Sequence, residues 1–146
     1  MTYKAYLMTD DKDFNEFVDR HIAEIQTRNG LNSLVFLAHN DAVVSGWWTD
    51  LATGERKNRS VGEMLCLIHS EISEAMEAHR KDKDDDKLPH RRGIEVELAD
   101  AVIRIADLCG GLGLDLAGAV MEKLEYNRKR ADHKPENRIK PGGKAY

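Results

Sequence analysis

Two segments with helical hydrophobic periodicity, joined by one charged stretch, constrain the fold of this chain most. In the first, residues 61–80, apolar side chains recur three and four positions apart. Ser60 stands three positions before Glu63, and this S-x-x-E pattern of a capping box predicts where the helix begins. The second segment, residues 92–108, repeats the same periodicity. Two long amphipathic helices joined by one loop are expected to pack antiparallel.

The N-terminal third of the chain also shows helical spacing. Apolar residues recur through 14–25, and Gly30 is the expected C-cap of that helix. Ser33 is expected to open a second, shorter helix that closes near Gly46. The run 34–38 fits a strand equally well, so that alternative stays open at this point.

Loops and breaks complete the pattern. Residues 46–60 are polar and contain glycine, as is typical of a loop, and residues 81–92 form a mixed-charge stretch with a proline. The glycines in 110–113 are expected to break the third helix, and Asp115 to cap a last helix over 116–131. The predicted fold is all-α, an antiparallel helical bundle with two long central acidic helices that is completed by oligomerisation.

Length and composition exclude several classes of protein. The 146 residues fit one domain, which we assign to residues 1–135, followed by a polar, basic C-terminal tail, 136–146. A net charge of −4 argues against a partner that is nucleic acid. The N-terminus lacks an apolar signal segment, and no run of 18 apolar residues occurs, so we expect a cytoplasmic protein without a membrane partner.

Four acidic residues lie in pairs on the two central helices. Glu71 and Glu74 are three positions apart on the first, and Glu97 and Asp100 are three apart on the second. Residues at that spacing share one face of a helix, so an antiparallel arrangement can bring the two pairs opposite each other. Glu77 can extend the same acidic row as a further ligand or a water-orienting group, or it can be a surface residue.

The four acids border the apolar stripe of each helix rather than the opposite face. Gathering carboxylates against a low-dielectric surface is expensive unless a cation offsets their repulsion. Ligands that are all oxygen suit Mg²⁺, or Mn²⁺, rather than zinc or copper. A solvated acidic helix face is the alternative. A ferritin-like di-iron site would need E-x-x-H on two helices, and that pattern does not occur in the chain.

A basic trio follows on the last predicted helix. Lys123, Asn127 and Arg130 fall at positions i, i+4 and i+7, so they are expected to share a face. Cationic and amide donors of this kind bind phosphate. A solvated helix face is the alternative for these three as well.

The order of these motifs resembles a known family. The segments 71–77 and 97–103, followed by K-x-x-x-N-x-x-R at 123–130, resemble the all-α nucleotide pyrophosphohydrolases of the MazG type, a superfamily related to dUTPases and dCTPases. The resemblance covers roughly residues 46–135 and leaves the first 45 residues weakly matched.

The resemblance implies hydrolysis of a (d)NTP to (d)NMP and pyrophosphate, an EC 3.6.1 type of activity in nucleotide-pool control or house-cleaning. The four acids would hold Mg²⁺, and the metal would lower the pKa of a water that attacks the α-phosphorus. Glu74 or Glu77 would orient or deprotonate that water, and the basic trio would neutralise the phosphates. Family members are usually oligomeric, so a homodimer or homotetramer is expected.

Three further residues are candidates for the nucleobase. Trp47 and Trp48 can stack on a base, or they can pack in the core or an interface. His69 can approach the base pocket from the adjacent face, or it can be a packed or surface histidine. Two other functions stay open: hydrolysis of an alarmone or modified nucleotide, and a non-catalytic helical interaction module. The sequence does not indicate the preferred base or sugar, or the number of metal ions.

Overall fold

The computed structural model describes residues 12–141 and is built from helices. The four main helices are α1 (Lys12–Val44), α2 (Val61–Lys81), α3 (Gly93–Leu112) and α4 (Leu116–Lys129). A 3₁₀ turn, Ala131–His133, and a one-turn helix α5, Pro135–Arg138, follow α4. Across the described residues there is no β-strand, only two isolated bridges. The all-α prediction is therefore confirmed.

Helix α1 is a single helix of 33 residues, so the prediction of two helices there was wrong. Gly30 lies inside the helix, and beyond its chain neighbours and the helix's own backbone no described atom lies within 4 Å of the position a Cβ would take. A glycine in a helix interior costs about 1 kcal/mol relative to alanine. The helical hydrogen bonds that continue on both sides of Gly30 outweigh this cost. Residues 34–38 are helical, so the strand alternative was wrong too.

Helix α2 begins and ends where the sequence predicts. The Ser60 side chain accepts a hydrogen bond from the Glu63 amide at 3.3 Å, which caps the first turn. At the other end Asp82 adopts a left-handed conformation with φ of 49°, and its amide donates to the His79 carbonyl at 3.2 Å. These two caps explain why the helix has these bounds.

The predicted break in 110–113 is confirmed, but it comes at the last glycine of the run, because helix α3 continues through Gly110 and Gly111. A Cβ on Gly110 would lie 2.5 Å from the His39 Cβ, and one on Gly111 would lie 2.1 Å from the Trp48 ring. Both glycines therefore serve close side-chain packing. The helix ends at Gly113, which adopts φ of 66°.

Helix α4 ends at Lys129, slightly before the predicted end. Arg130 is already extended, with φ of −65° and ψ of 131°. Arg130 therefore lies outside the helical face that its spacing from Lys123 and Asn127 predicted. Residues 142–146 of the predicted tail lie outside the described residues.

The chain divides into two compact units. One comprises residues 32–116 and holds the end of α1, the loop, α2 and α3. The other comprises the described residues on either side, where Arg20 lies 3.6 Å from Glu125 and ties the start of α1 to α4. The prediction of one domain over residues 1–135 stays a prediction.

Helices α2 and α3 pack side by side within residues 32–116. Ala78 near the end of α2 abuts Gly93 at the start of α3. Glu71, which lies earlier on α2, pairs with Arg104, which lies later on α3. The order of contacts is reversed along the two helices, so they run antiparallel. Ala101 of α3 is 2% exposed. A wider bundle and an oligomer stay predictions.

One face of this hairpin is apolar and exposed. On each helix, the exposed apolar residues come one position after the residues that face the other helix. Because the two helices run antiparallel, this offset places the exposed apolar residues of both helices on the same side of the pair. We call this surface the apolar face: Leu65, Ile72 and Met76 of α2 with Leu98, Val102 and Ile105 of α3. In the described part of the chain no helix is long and apolar enough to cross a membrane.

Candidate metal centre and adjoining groove

Three of the four predicted acids come together between α2 and α3. One oxygen from each of Glu71, Glu97 and Asp100 lies within 4.8 Å of the other two, and we call this group the carboxylate cluster. Glu71 is buried, whereas Glu97 and Asp100 are half-buried. A set of oxygen donors at this spacing fits Mg²⁺ or Mn²⁺.

The electrostatics of the carboxylate cluster are centred on Glu97. Burial raises the pKa of Glu97 above its usual value, and the negative charges of Glu74, Glu71 and Asp100 raise it further. A hydrogen bond with Glu71 also favours the protonated form of Glu97. Like charges thus oppose one another here, and a divalent cation would offset that repulsion.

An arginine contacts the buried member of the cluster. Arg104 Nε donates to Glu71 Oε1 at 2.6 Å, with the Glu71 side chain 8% exposed and that of Arg104 44% exposed. Charge-assisted bonds of this kind are among the stronger hydrogen bonds in proteins. Arg104 follows Asp100 by one turn of α3, so a positive charge lies beside the cluster.

The other two acids of the predicted row lie in different surroundings. Glu74 is exposed and outside the carboxylate cluster, yet its charge is near enough to raise the pKa of Glu97. Glu77 lies 2.6 Å from Lys81 and 2.7 Å from Arg80. These two bonds lower the pKa of Glu77, which makes its carboxylate a weaker base. The structure brings Glu74 towards the cluster but does not bring Glu77 there.

A groove of about 780 Å³ lies between α1, α2 and α3. It shares Asp100 and Arg104 with the surroundings of the carboxylate cluster. Its walls are largely apolar, formed by Leu34, Leu37, Ala38, Ala42, Trp47, Met64, Leu67 and Ile103. Its polar lining is formed by Asp41, Ser45, Arg59, Asp100, Arg104 and Asp107. A cavity of this size and character is typical of small-molecule sites.

The two adjacent tryptophans have opposite environments. Trp47 lines the groove and is 62% exposed, with the Arg59 guanidinium 6.0 Å from its ring centre. Trp48 is 4% exposed and belongs to the core. His69 is exposed on α2 and does not line the groove. Of the three residues considered for a base, only Trp47 is accessible from the groove.

A second carboxylate centre holds Trp48 in place. Oδ1 of Asp107 accepts a hydrogen bond from Trp48 Nε1 at 2.7 Å and lies 2.9 Å from His39 Nδ1. Since a carboxylate only accepts, the His39 nitrogen donates. We call Asp107, His39 and Trp48 the Asp107 clamp. It anchors the loop after α1 to α3, and Asp107 also lines the groove.

The basic trio belongs to the other compact unit, which contains α4. Lys123 Nζ lies 4.7 Å from the centre of the Tyr126 ring, and the Arg130 guanidinium lies 5.9 Å from it. Arg130 also pairs with Asp132 at 2.6 Å. Oδ1 of Asn127 is buried without a hydrogen-bond partner in the described part of the chain. Phosphate binding by the trio stays a prediction.

Of the polar residues that line the groove, the sequence-based prediction included only Asp100. Arg104 and Asp107 follow Asp100 by four and seven positions, and helical periodicity alone puts all three on one face of α3. That signal was present in the sequence. Arg59 lies in the loop before α2, where no periodicity predicts its contact with Trp47.

No family model, curated protein or solved structure matches this chain.

Proposed function

We propose that this chain is a divalent-metal-dependent pyrophosphohydrolase that converts a (d)NTP to (d)NMP and pyrophosphate. One observation carries the proposal: three carboxylates whose charges oppose one another lie beside a groove of about 780 Å³. Such an arrangement suits a divalent cation with an anionic phosphate next to it. The resemblance of the motifs to MazG-type enzymes supports the same reaction, in the cytoplasm where nucleotide pools are maintained.

The carboxylate cluster is the metal site in this proposal. Glu71, Glu97 and Asp100 would hold Mg²⁺ or Mn²⁺, and the metal would supply a polarising charge for phosphate and an acidified water. Arg104 is 44% exposed, so its guanidinium can turn to a phosphate oxygen when the cation takes over the charge of Glu71.

Glu74 is the better candidate for orienting or deprotonating the attacking water. It is exposed and close enough to Glu97 to influence its pKa. Glu77 is engaged by Lys81 and Arg80, and its lowered pKa makes it a poorer proton acceptor. The basic trio remains the proposed phosphate-binding set on the strength of the resemblance.

The groove would take the nucleoside. Its apolar walls suit a flat base, and Trp47 offers an exposed ring on which a base can stack. Trp48 and His69 have no part in base binding in this proposal, because one is buried in the core and the other lies away from the groove.

We further propose that the chain forms a homodimer or homotetramer through the apolar face of the hairpin. The six side chains of that face are between 36% and 66% exposed, although they form two continuous rows. A contiguous apolar surface of this kind on a soluble protein is typical of a protein interface. Light scattering after size-exclusion chromatography tests the proposal, and a monomer at micromolar concentration would contradict it.

Pyrophosphate release from each NTP and dNTP with Mg²⁺ tests the enzymatic proposal. Turnover is expected in the wild type and in the control Glu95→Gln, since Glu95 is exposed on α3 at 3.7 Å from Arg91. Asp100→Asn and chelation by EDTA should each abolish it. Full activity in Asp100→Asn would contradict the assignment of the metal site.

The same panel separates the remaining candidate functions. Turnover only with an alarmone or a modified nucleotide would favour that alternative. A non-catalytic helical module predicts no turnover and no rise in melting temperature with Mg²⁺ or Mn²⁺, whereas a metal site in the folded protein raises it.

A further inference from the structure

Asp107 offers the groove an acceptor whose orientation is fixed. Oδ1 is held by the indole nitrogen of Trp48 at 2.7 Å and by His39 at 2.9 Å. Trp48 is 4% exposed, and the Asp107 side chain is 15% exposed, so this clamp is anchored in the interior. Among the described residues Oδ2 has no hydrogen-bond partner, which leaves it as the oxygen available to a ligand in the groove that Asp107 lines.

The position of Asp107 relative to the carboxylate cluster fits the length of a nucleotide. Asp107 follows Asp100 by seven residues on α3, which is about 10 Å along the helix axis. Both residues line the same groove. A nucleotide with its phosphates at Asp100 extends its base edge over a comparable distance, and Trp47 on the groove wall can cover the ring.

The polar lining of the groove is rich in acceptors. Asp41 and Asp107 both contribute carboxylates. The two arginines of the lining have other partners: Arg59 donates to the Trp47 carbonyl at 3.0 Å, and Arg104 donates to Glu71 of the cluster and, in the proposed complex, to the phosphate beside it. A base edge that donates hydrogen bonds fits such a lining. A carbonyl on the same edge would face a carboxylate oxygen and be repelled.

We propose that Asp107 is a specificity-determining residue whose Oδ2 accepts a hydrogen bond from an exocyclic amino group of the nucleobase. The groove then selects cytosine over uracil and adenine over hypoxanthine, because each first member has an amino group where the second has a carbonyl. The inference rests on the proposed function, since it names the base class of that same site.

Two matched nucleotide pairs test the selection in the wild-type protein. Binding of the α,β-imido analogues of dCTP, dUTP, dATP and dITP is measured by calorimetry with Mg²⁺, and kcat/KM is measured for the hydrolysable forms. The amino member of each pair is expected to be favoured about 10-fold or more, the range that one well-placed contact to a base gives. Equal binding within both pairs would overturn the inference.

Asp107→Asn is the sharper variant. The Trp48 indole can only donate, so it keeps the amide oxygen at the place of Oδ1. The amide NH₂ then stands where Oδ2 was, and an acceptor becomes a donor. The dCTP-to-dUTP preference should fall about 10-fold or more in this variant. It should be unchanged in Glu95→Gln, and an unchanged ratio in folded Asp107→Asn would overturn the inference.

The outcomes distinguish this inference from the proposed function. Hydrolysis of all four nucleotides without selection overturns the role of Asp107 and leaves the pyrophosphohydrolase proposal standing. Selective binding of the imido analogues without hydrolysis of any nucleotide supports the role of Asp107 and overturns the proposed activity. If Asp107→Asn fails to fold, the wild-type pairs decide the question by themselves.

Discussion

Two carboxylate centres lie two turns apart on α3 and hold their charges in opposite ways. In the carboxylate cluster, Glu97 and Asp100 meet a third carboxylate, and burial together with like charges raises the pKa of Glu97. In the Asp107 clamp, a single carboxylate meets two nitrogen donors, from Trp48 and His39. The carboxylates of the cluster repel one another, whereas the carboxylate of Asp107 accepts hydrogen bonds from nitrogen donors.

The difference separates a centre that needs a cation from one whose carboxylate is anchored by the protein's own donors through Oδ1. Like charges that are brought together at the edge of a protein interior lower its stability, so they are informative about a ligand that offsets them. Donors gathered around one carboxylate raise stability and position the loop that carries Trp47. Neutralising substitutions should therefore have opposite effects on folding at the two centres.

The largest expected effect is the loss of folding stability when Trp48, the indole of the Asp107 clamp, is replaced. Trp48→Ala should lower the free energy of unfolding by about 3–5 kcal/mol, because it empties a buried site packed against Gly111. Trp47→Ala is the matched control, and at 62% exposure it should change stability by about 0.5 kcal/mol or less. Urea denaturation measures both. Equal losses in the two variants would contradict the division between the adjacent tryptophans.

The next effect concerns metal affinity at the carboxylate cluster. Asp100→Asn should weaken Mn²⁺ binding about 100-fold or more, or about 2.7 kcal/mol, because one anionic ligand becomes neutral. Calorimetric titration of the wild type, Asp100→Asn and Glu95→Gln measures it. The control should bind as the wild type does, and undiminished affinity in Asp100→Asn would place the metal elsewhere.

A smaller loss of stability is expected for Asp107→Ala. The buried indole of Trp48 would lose its acceptor, which costs about 1–3 kcal/mol, whereas the His39 side chain is 26% exposed and can reach water. Mn²⁺ affinity should be unchanged, because Asp107 is not in the carboxylate cluster. A stability curve that overlays the wild type would show that the clamp is not an anchor.

The smallest effect has the opposite sign and depends on pH. Because the pKa of Glu97 is raised in the folded state, its protonated form is favoured there, and its contribution to stability is lost as pH rises through the folded pKa. Glu97→Gln mimics the protonated form. The metal-free variant should melt above the wild type at neutral pH, and the difference should vanish below about pH 4, near the pKa of an unperturbed glutamate. A lower melting temperature at neutral pH would contradict the repulsion at the cluster.

The parts that could be predicted from sequence depend on short-range rules. The Ser60 cap predicted the start of α2, because a hydroxyl that accepts from an amide three residues on is a local interaction. The spacing of the acids predicted that two pairs would meet, because two amphipathic helices joined by one loop bring facing rows together. Three of those four acids do meet, and Glu74 lies outside the cluster.

The errors arise where distant contacts outweigh a local preference. Gly110 and Gly111 carry the local signal of a helix end, but the helix continues to Leu112, and these positions lack side chains because His39 and Trp48 pack closely against them. The opposite environments of the two tryptophans depend on the loop backbone, in which the Trp48 carbonyl accepts from Lys57 at 2.9 Å. Neither contact has a signature in the neighbouring sequence.

The most direct test of the proposed activity is the identity of its products. A nucleoside triphosphate incubated with the protein and Mg²⁺ is followed by ³¹P NMR, with EDTA as the control. The carboxylate cluster beside the groove predicts loss of the triphosphate signals and the appearance of nucleoside monophosphate and pyrophosphate in equal amounts, only with the metal. Unchanged triphosphate, or nucleoside diphosphate with inorganic phosphate, would contradict it.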